Sequence, residues 1–319
     1  MATSPKSGEK TPDQQQLPAQ KAQREPQDAA YARAQDAIAT ARTSDASDLT
    51  LSGDDFSDLT ELPPDVGTLT ALTDLSLSGT QVSDISALSG LTGLMGLSLS
   101  RTPVSDISAL SGLTGLTWLY LSRTEVSDIS ALSALSGLSG LTTLSLMGTP
   151  VSDISALSGL TGLTVLYLSD TQVSDISALS GLTTLVLSGT PVSDISALSG
   201  LTGLTGLYLS DTPVSDISAL SGLRGLSTLD LMRTSVSDIS VLSGLTGLME
   251  LTLTGTPVND LSPILPLTQL VDAPKYGGLA FRNTAAARAD RRIAEIAGIQ
   301  DDAKRATDLC AYLKNVTPT

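Results

Sequence analysis

The sequence predicts an α/β solenoid, in which short parallel strands form a concave sheet, turns and 3₁₀ segments form the convex side, and short helices cap the ends. Two motifs predict it: V-[SN]-D-[IL] recurs nine times, and an L-x-L motif stands shortly before each copy. The chain is also 41% hydrophobic but only 3% aromatic, so aliphatic layers must fill the interior. One repeat cannot bury its Leu face alone, whereas stacked repeats bury a continuous core.

The first segment, residues 1–25, is polar and rich in Pro, Gln, Lys and Ser. It lacks hydrophobic periodicity, so we expect a disordered tail. From Pro26, a residue suited to the first turn of a helix, apolar side chains recur on one helical face. This predicts an N-terminal capping helix over residues 26–45, with an apolar face formed by Tyr31, Ala34, Ala37, Ile38 and Ala41.

The repeats occupy residues 46–270. Each L-x-L motif predicts a short strand with both Leu side chains pointing inward. A less regular copy begins at Leu49, which gives ten strands. The Asp of the other motif recurs in steps of 22, 22, 25, 22, 19, 22, 22 and 22 residues. The two unequal copies differ from 22 by about one turn of 3₁₀ helix, in convex segments, so we expect the strand register to survive.

This pattern resembles the leucine-rich repeat family, whose L-x-x-L-x-L-x-x-N is matched by L-T-W-L-Y-L-S-R-T and its counterparts. The short bacterial, internalin-like type with S-D-I-S is the most similar. The resemblance covers residues 46–270 and implies a right-handed, curved solenoid that binds proteins. One departure is systematic, because Thr replaces the family's Asn at positions 80, 102, 124, 149, 171, 190, 212, 234 and 256. Thr lacks the side-chain amide, whose separate NH₂ and C=O groups donate and accept together, so we expect a weaker turn ladder.

The last segment, residues 271–319, predicts a C-terminal helical cap. Asn283 or Thr284 can cap one helix, which Gly298 would end, and Asp301 can cap another. These helices would close the open edge of the sheet. A docking element, or the remnant of a further domain, is the alternative.

The charge of the chain is concentrated in the repeats, where residues 46–270 hold four basic residues against 21 acidic ones. Nucleic acid and anionic membranes would be repelled, so we expect a protein partner and no nucleic acid. Nowhere do eighteen apolar residues follow one another, so we expect no membrane insertion. The sequence leaves the oligomeric state open, with a monomer as the expectation.

The repeats differ from one another mainly in the residues at the outward strand positions. The centre of L-x-L is Tyr at positions 120, 167 and 208, and Trp118 lies on the same face as Tyr120. Two residues past the second Leu, at the lip of the sheet, stand Arg101, Arg123 and Arg233. Tyr, Trp and Arg dominate binding hot spots. We predict a partner-binding site of Trp118, Tyr120, Tyr167, Tyr208, Arg101, Arg123 and Arg233; the alternative is that Tyr merely suits a strand.

The nine motif Asp residues would line up along the convex edge. We expect each carboxylate to cap the turn that follows it. Calcium needs six to eight oxygens, and one carboxylate per repeat does not supply them, so we expect neither a metal nor another cofactor. Steering of basic partners is the remaining alternative.

The other reactive or charged residues receive structural interpretations. Cys310 lies in an apolar helical stretch and is predicted to be a core residue. The chain has no His, so neither a Ser-His nor a Cys-His pair is possible. We expect Arg288, Arg291, Arg292, Lys304 and Arg305 to form a solvated helix face, with contact to an anionic partner or the acidic solenoid as the alternative.

Three functional hypotheses follow. The first is a cytoplasmic, non-enzymatic scaffold that binds a protein on the concave face. The second is a secreted effector or surface protein that acts on host proteins, with residues 1–25 as a signal for an export route that reads polar N-termini. The third is an enzyme whose chemistry lies in residues 271–319. The first hypothesis is favoured, because aromatic residues are scarce in the chain and yet stand at outward positions of the strands.

Overall fold

The structure of the protein is a computed structural model that describes residues 12–135, 140–272 and 278–316. Eleven short strands form one parallel sheet, and each pairs with the strands next to it in sequence. The strands are β1 (Asp48–Thr50), β2 (Asp74–Ser76), β3 (Gly96–Ser98), β4 (Trp118–Tyr120), β5 (Thr143–Ser145), β6 (Val165–Tyr167), β7 (Thr184–Val186), β8 (Gly206–Tyr208), β9 (Thr228–Asp230), β10 (Glu250–Thr252) and β11 (Gly278–Ala280).

Each strand has a Leu in its middle, flanked by two outward residues. The middle Leu faces its counterpart in every pair, as Leu97 does with Leu119. Both Leu residues of each L-x-L motif are buried, together with the Val and Ile of the following turn. The predicted solenoid is therefore confirmed, with a layered aliphatic core behind the sheet.

The convex side carries 3₁₀ helices, as predicted. The 25-residue copy has the longest of them, whereas the 19-residue copy has none between β6 and β7. Strand register is kept across both copies, so the length changes are absorbed on the convex side. The helices span Asp54–Phe56, Pro64–Thr68, Ser86–Leu88, Ser108–Gly112, Ser130–Leu135, Ser155–Gly159, Ser196–Gly200, Ser218–Gly222, Ser240–Gly244 and Ser262–Ile264.

The Thr residues that replace the family's Asn are buried. Each donates its hydroxyl hydrogen to the Leu carbonyl three residues earlier, at 2.6–2.9 Å. This bond closes a turn within one repeat. Adjacent repeats are joined at the next residue, where the Glu125 N–H donates to the Val104 carbonyl at 2.9 Å. Pro occupies that position in five copies and cannot donate.

A second set of hydroxyl groups joins neighbouring repeats just before the strands. Thr117 donates to the Met95 carbonyl at 2.9 Å and Thr142 donates to the Thr117 carbonyl at 3.0 Å. Thr73, Thr164, Thr183, Thr205 and Ser227 repeat the arrangement. This ladder, which the repeat motifs did not predict, supplements the backbone pairing between repeats.

The N-terminal helix α1 (Pro12–Ser44) covers the β1 edge. It begins at Pro12 and not at Pro26, so the prediction of a tail is wrong for residues 12–25, and residues 1–11 lie outside the described chain. Of the predicted face, Ala34, Ile38 and Ala41 are buried, and Tyr31 and Ala37 pack against the core in part.

The C-terminal part begins with α2 (Gln269–Asp272) and continues the sheet with β11, so the predicted all-helical cap is wrong at this strand. Thr284 caps α3 (Ala285–Ala289). A separate cap, Asp290, accepts hydrogen bonds from the first N–H groups of α4 (Arg291–Ala297), which ends at Gly298. Asp301 accepts from the Lys304 N–H at 2.7 Å as α5 (Asp302–Val316) begins. These helices cover the second edge of the sheet.

The prediction of a solvated basic face is wrong for Arg305. Its side chain is buried and donates to the Leu279 and Ile299 carbonyls, each at 2.5 Å, and to Asp302. It thereby ties α5 to the last strand. The exposed Arg291 and Arg292 pair with Glu295 on their own helix. Cys310 is only partly buried, and that burial raises the pKa of its thiol.

Candidate functional site

The concave face is formed by the two outward residues of each strand. Along the sheet the first outward position reads Asp, Asp, Gly, Trp, Thr, Val, Thr, Gly, Thr, Glu and Gly, and the second reads Thr, Ser, Ser, Tyr, Ser, Tyr, Val, Tyr, Asp, Thr and Ala. Large side chains are therefore concentrated in the middle of the sheet. The acidic side chains lie near its two ends.

Trp118 and Tyr120 stand together on β4. Their ring centroids are 5.1 Å apart and the rings are tilted by 34°, a favourable geometry for an aromatic pair. The indole lies over Gly96 of the neighbouring strand, because a Cβ built at that position would be 2.0 Å from Cζ2 of Trp118. The same Cβ would be 2.4 Å from the Asp74 carboxylate. Gly96 thus provides the space in which the indole lies.

Tyr167 and Tyr208 lie on β6 and β8, two and four strands from the pair on β4. The separations are about 10 Å and 19 Å along the sheet. Tyr208 is half-buried and its ring lies beside Gly206 of the same strand. Burial, and then the neighbouring Glu250 carboxylate, raise the pKa of the Tyr208 hydroxyl. The structure therefore unites only Trp118 and Tyr120 among the four predicted aromatic residues.

Two exposed Met residues lie on the repeats to either side of the aromatic pair. In the described part of the chain, the exposed large hydrophobic side chains are Met95, Tyr120, Met147 and Val316. Met95 precedes β3 and Met147 follows β5, so three of these four lie around β4. Neither Met residue was predicted from the sequence. Most other copies carry Thr or Ser at these two repeat positions, but Met232 and Met249 also occupy them and are only partly exposed. We call Met95, Trp118, Tyr120 and Met147 the β4 surface.

The lip position, two residues past the second Leu, has a left-handed backbone in all nine copies. Its φ angles run from 55° to 78°. Gly tolerates this conformation, whereas other residues occupy it at a cost. Four copies have Gly there, and the others have Arg101, Arg123, Asp170, Asp211 and Arg233. The limited choice of residues therefore reflects backbone geometry as well as surface chemistry.

The three predicted Arg residues differ in their contacts. Arg233 forms a two-point ion pair with Asp211 of the preceding repeat, with both N–O distances at 2.5 Å. Arg101 and Arg123 lie on adjacent repeats beside β4 and are exposed. Neither guanidinium forms an ion pair or hydrogen bond with any residue that the structure describes. The Asp170 carboxylate lies over Gly189, on the side away from Arg123.

The far end of the concave face is acidic. Asp230 on β9 accepts hydrogen bonds from the Ser210 hydroxyl at 2.6 Å and from the Met232 N–H at 2.9 Å. Burial, and then the Asp230 carboxylate, raise the pKa of Glu250 on β10. Tyr208 therefore lies near two carboxylates, whereas Arg101 and Arg123 lie on the repeats of β3 and β4.

The nine motif Asp residues act as caps, as predicted. In each copy one carboxylate oxygen accepts the N–H of the Ser two residues later, at 2.8 Å. This hydrogen bond is the main cause of the lowered pKa of Asp84, Asp106, Asp128, Asp153, Asp175, Asp194, Asp216 and Asp238. Within the described residues, no group of three or more Asp, Glu or Cys side chains could hold a metal ion.

Comparisons with known proteins agree with this architecture. The family profile "Leucine Rich repeats (2 copies)" matches residues 139–181 and 180–222. The crystal structure of an internalin, InlF of Listeria monocytogenes, is 29% identical with a TM-score of 0.62, and the match covers 75% of this chain and 74% of InlF. No curated protein sequence matches the chain significantly.

A leucine-rich repeat protein of Leptospira interrogans shares the fold. It is 19% identical with a TM-score of 0.55, and the match covers 76% of each chain. The nine motif copies, the parallel sheet and the profile match all indicate one assignment. Residues 139–222 match the leucine-rich repeat family, and the solenoid has that family's fold and is similar to the short bacterial, internalin-like type.

Proposed function

We propose that this protein is a non-enzymatic interaction module whose protein partner binds the concave face. Leucine-rich repeat proteins are generally protein-binding scaffolds. The observation that carries the proposal is the β4 surface, which combines an aromatic pair with two exposed Met side chains on the adjacent repeats and holds three of the four exposed large hydrophobic side chains of the described chain. Clustered apolar side chains on an exposed face are typical of interaction sites.

The residue types support this proposal. Trp and Tyr bring large apolar areas into an interface while their polar atoms retain hydrogen-bonding capacity. Met adapts its shape to a partner. The polar Ser and Thr side chains around the β4 surface would form the rim that such interfaces require. Tyr167 and Tyr208 would extend the contact along the sheet.

Replacing Tyr120 and Tyr167 by Ala tests the proposal. A partner is first isolated with the wild-type chain, and its affinity is then measured by titration calorimetry. We expect the double variant to bind at least about thirtyfold more weakly, because each hot-spot side chain contributes more than about 1 kcal/mol. The matched control replaces Ser76 and Thr252, which occupy the same strand position near the ends of the sheet. Unchanged affinity of a folded double variant would remove the proposal.

We also propose a cytoplasmic location, which is supported by a chain with one Cys and therefore no internal disulfide. No helix of the described chain is long and apolar enough to cross a membrane. Export is the alternative and is tested directly by fusing residues 1–25 to a reporter. Appearance of the reporter outside the cell would replace the cytoplasmic proposal with that of a secreted or surface protein.

A further inference from the structure

Arg101 and Arg123 occupy an unfavourable backbone conformation without an internal partner. Their φ angles are 59° and 58°, in the region where four other copies have Gly. Arg233 has the same conformation, but Asp211 pairs with its guanidinium. Departures from a local rule without a visible compensation concentrate at functional positions. The two unpaired Arg residues therefore point to a ligand.

Backbone hydrogen bonds fix the backbone of these two residues relative to the sheet. The Arg101 N–H donates to the Ser122 carbonyl at 2.8 Å, and the Arg123 N–H donates to the Met147 carbonyl at 2.7 Å. Their strands are neighbours, so the two Cα atoms lie about 5 Å apart along the sheet axis. Two exposed Arg side chains that start from Cα atoms at this spacing can both reach one carboxylate, which a guanidinium can bind with two hydrogen bonds.

Arg101 and Arg123 are the basic residues of the concave lip without an internal partner among the described residues, so they are complementary to an acidic ligand. The repeats hold 21 acidic residues and four basic ones, and Asp74 lies beside Trp118 on the opposite side of the β4 surface. Near Tyr208, the carboxylates of Asp230 and Glu250 would repel an acidic ligand. A carboxylate is therefore favoured at Arg101 and Arg123 and disfavoured elsewhere on the face.

We propose that the β4 surface, together with Arg101 and Arg123, binds an extended protein segment that carries an acidic side chain next to a large apolar one. The apolar side chain covers Trp118, Tyr120 and the two Met residues, and the acidic side chain pairs with both guanidinium groups. This inference rests on the proposed function and adds the chemistry of the ligand. It also excludes Tyr208 from the main contact.

The test is a selection of displayed random twelve-residue peptides on the full-length chain. We expect the selected peptides to be enriched in Asp or Glu beside Leu, Phe, Tyr or Trp. Their affinity should fall about tenfold to a hundredfold with Arg101→Gln and Arg123→Gln together, and should weaken with salt. Arg233→Gln is the matched control, because its guanidinium is already paired, and it should bind nearly as well as wild type.

A charge exchange strengthens the test. The variant with Arg101→Glu and Arg123→Glu should reject the acidic peptides and bind versions in which Lys replaces the acidic residue. Peptides that depend on Tyr120 but are basic or neutral would overturn this inference and leave the proposed function standing. Peptides whose binding is unaffected by the loss of Tyr120 and Tyr167 would overturn both. Stronger loss with Tyr208→Ala than with Tyr120→Ala would also overturn the inference.

Discussion

At the scale of single residues, the lip position shows how backbone geometry restricts surface chemistry. Every copy has a positive φ there, so Gly is the residue that fits without cost. Arg101 and Arg123 thus combine an unfavourable conformation with exposed charge. If these residues bind the ligand, the positions that recognise the ligand are also positions at which the fold is less stable than it would be with Gly.

Replacing Arg101 by Gly should therefore stabilise the fold. We expect the Gly variant to be more stable to unfolding than the Arg101→Ala variant by about 1 kcal/mol, because Ala loses the side chain but keeps the unfavourable φ. Urea unfolding monitored by circular dichroism compares the two. Equal stabilities would show that the left-handed backbone at this position carries no cost.

The site was predictable from sequence only in part. Alternation along the strands placed Trp118 and Tyr120 on one outward face, and the structure brings those two together. The alternation could not show that Arg233 is paired and Arg101 is not, because the ion pair with Asp211 depends on side-chain directions. Nor could the alternation identify Met95 and Met147, because Met232 and Met249 occupy the same two repeat positions and are only partly exposed.

At the scale of elements, each Asp cap connects a turn to the 3₁₀ segment or turn that follows. The pKa of these carboxylates is lowered mainly by the hydrogen bond from the Ser backbone N–H. A lowered pKa in the folded state means that the charged form stabilises the fold above the unfolded pKa of about 4. This stabilisation is lost as the pH falls through the lower folded value.

We expect the melting temperature to fall steadily between about pH 4 and pH 2, since many equal caps titrate in the same window. The Asp153→Asn variant should retain the acceptor and most of the stability at pH 7, whereas Asp153→Ala should melt lower. Calorimetric scans across this pH range provide the measurement. A melting temperature that is constant between pH 4 and pH 2 would contradict the role of the carboxylates.

Element boundaries followed from sequence wherever a motif repeated. The predicted boundaries were wrong at the N-terminal and C-terminal ends of the chain, for different reasons. Residues 12–25 have no apolar period, yet Gln, Ala, Lys, Arg and Glu favour helix by propensity, and periodicity does not detect that. Strand β11 lacks the Leu-x-Leu motif because Phe281, which is fully buried, takes the place of the second Leu.

At the scale of the whole molecule, the two ends protect the sheet. Helix α1 lies against β1, and α5 lies against β11, held by Arg305. An uncovered edge strand exposes unpaired N–H and C=O groups that can pair with another chain. End caps of this kind keep repeat arrays from associating.

Removing residues 278–319 should therefore lower the melting temperature and produce concentration-dependent self-association. Sedimentation velocity at several concentrations measures it. The matched control deletes one complete repeat, residues 196–217, and leaves both caps in place. We expect that variant to remain folded and to associate no more than the full chain. Association of both variants to the same extent would show that the caps do not control it.

The preserved strand register has a consequence for how such a chain changes over generations. Because the 25- and 19-residue copies leave every strand in step, unequal recombination between nearly identical repeats can add or delete a unit without disturbing the layers. Each event would shift the segments on either side by about 4.8 Å relative to one another. The length of the array can therefore change by one repeat at a time while the residues around β4 keep their chemistry.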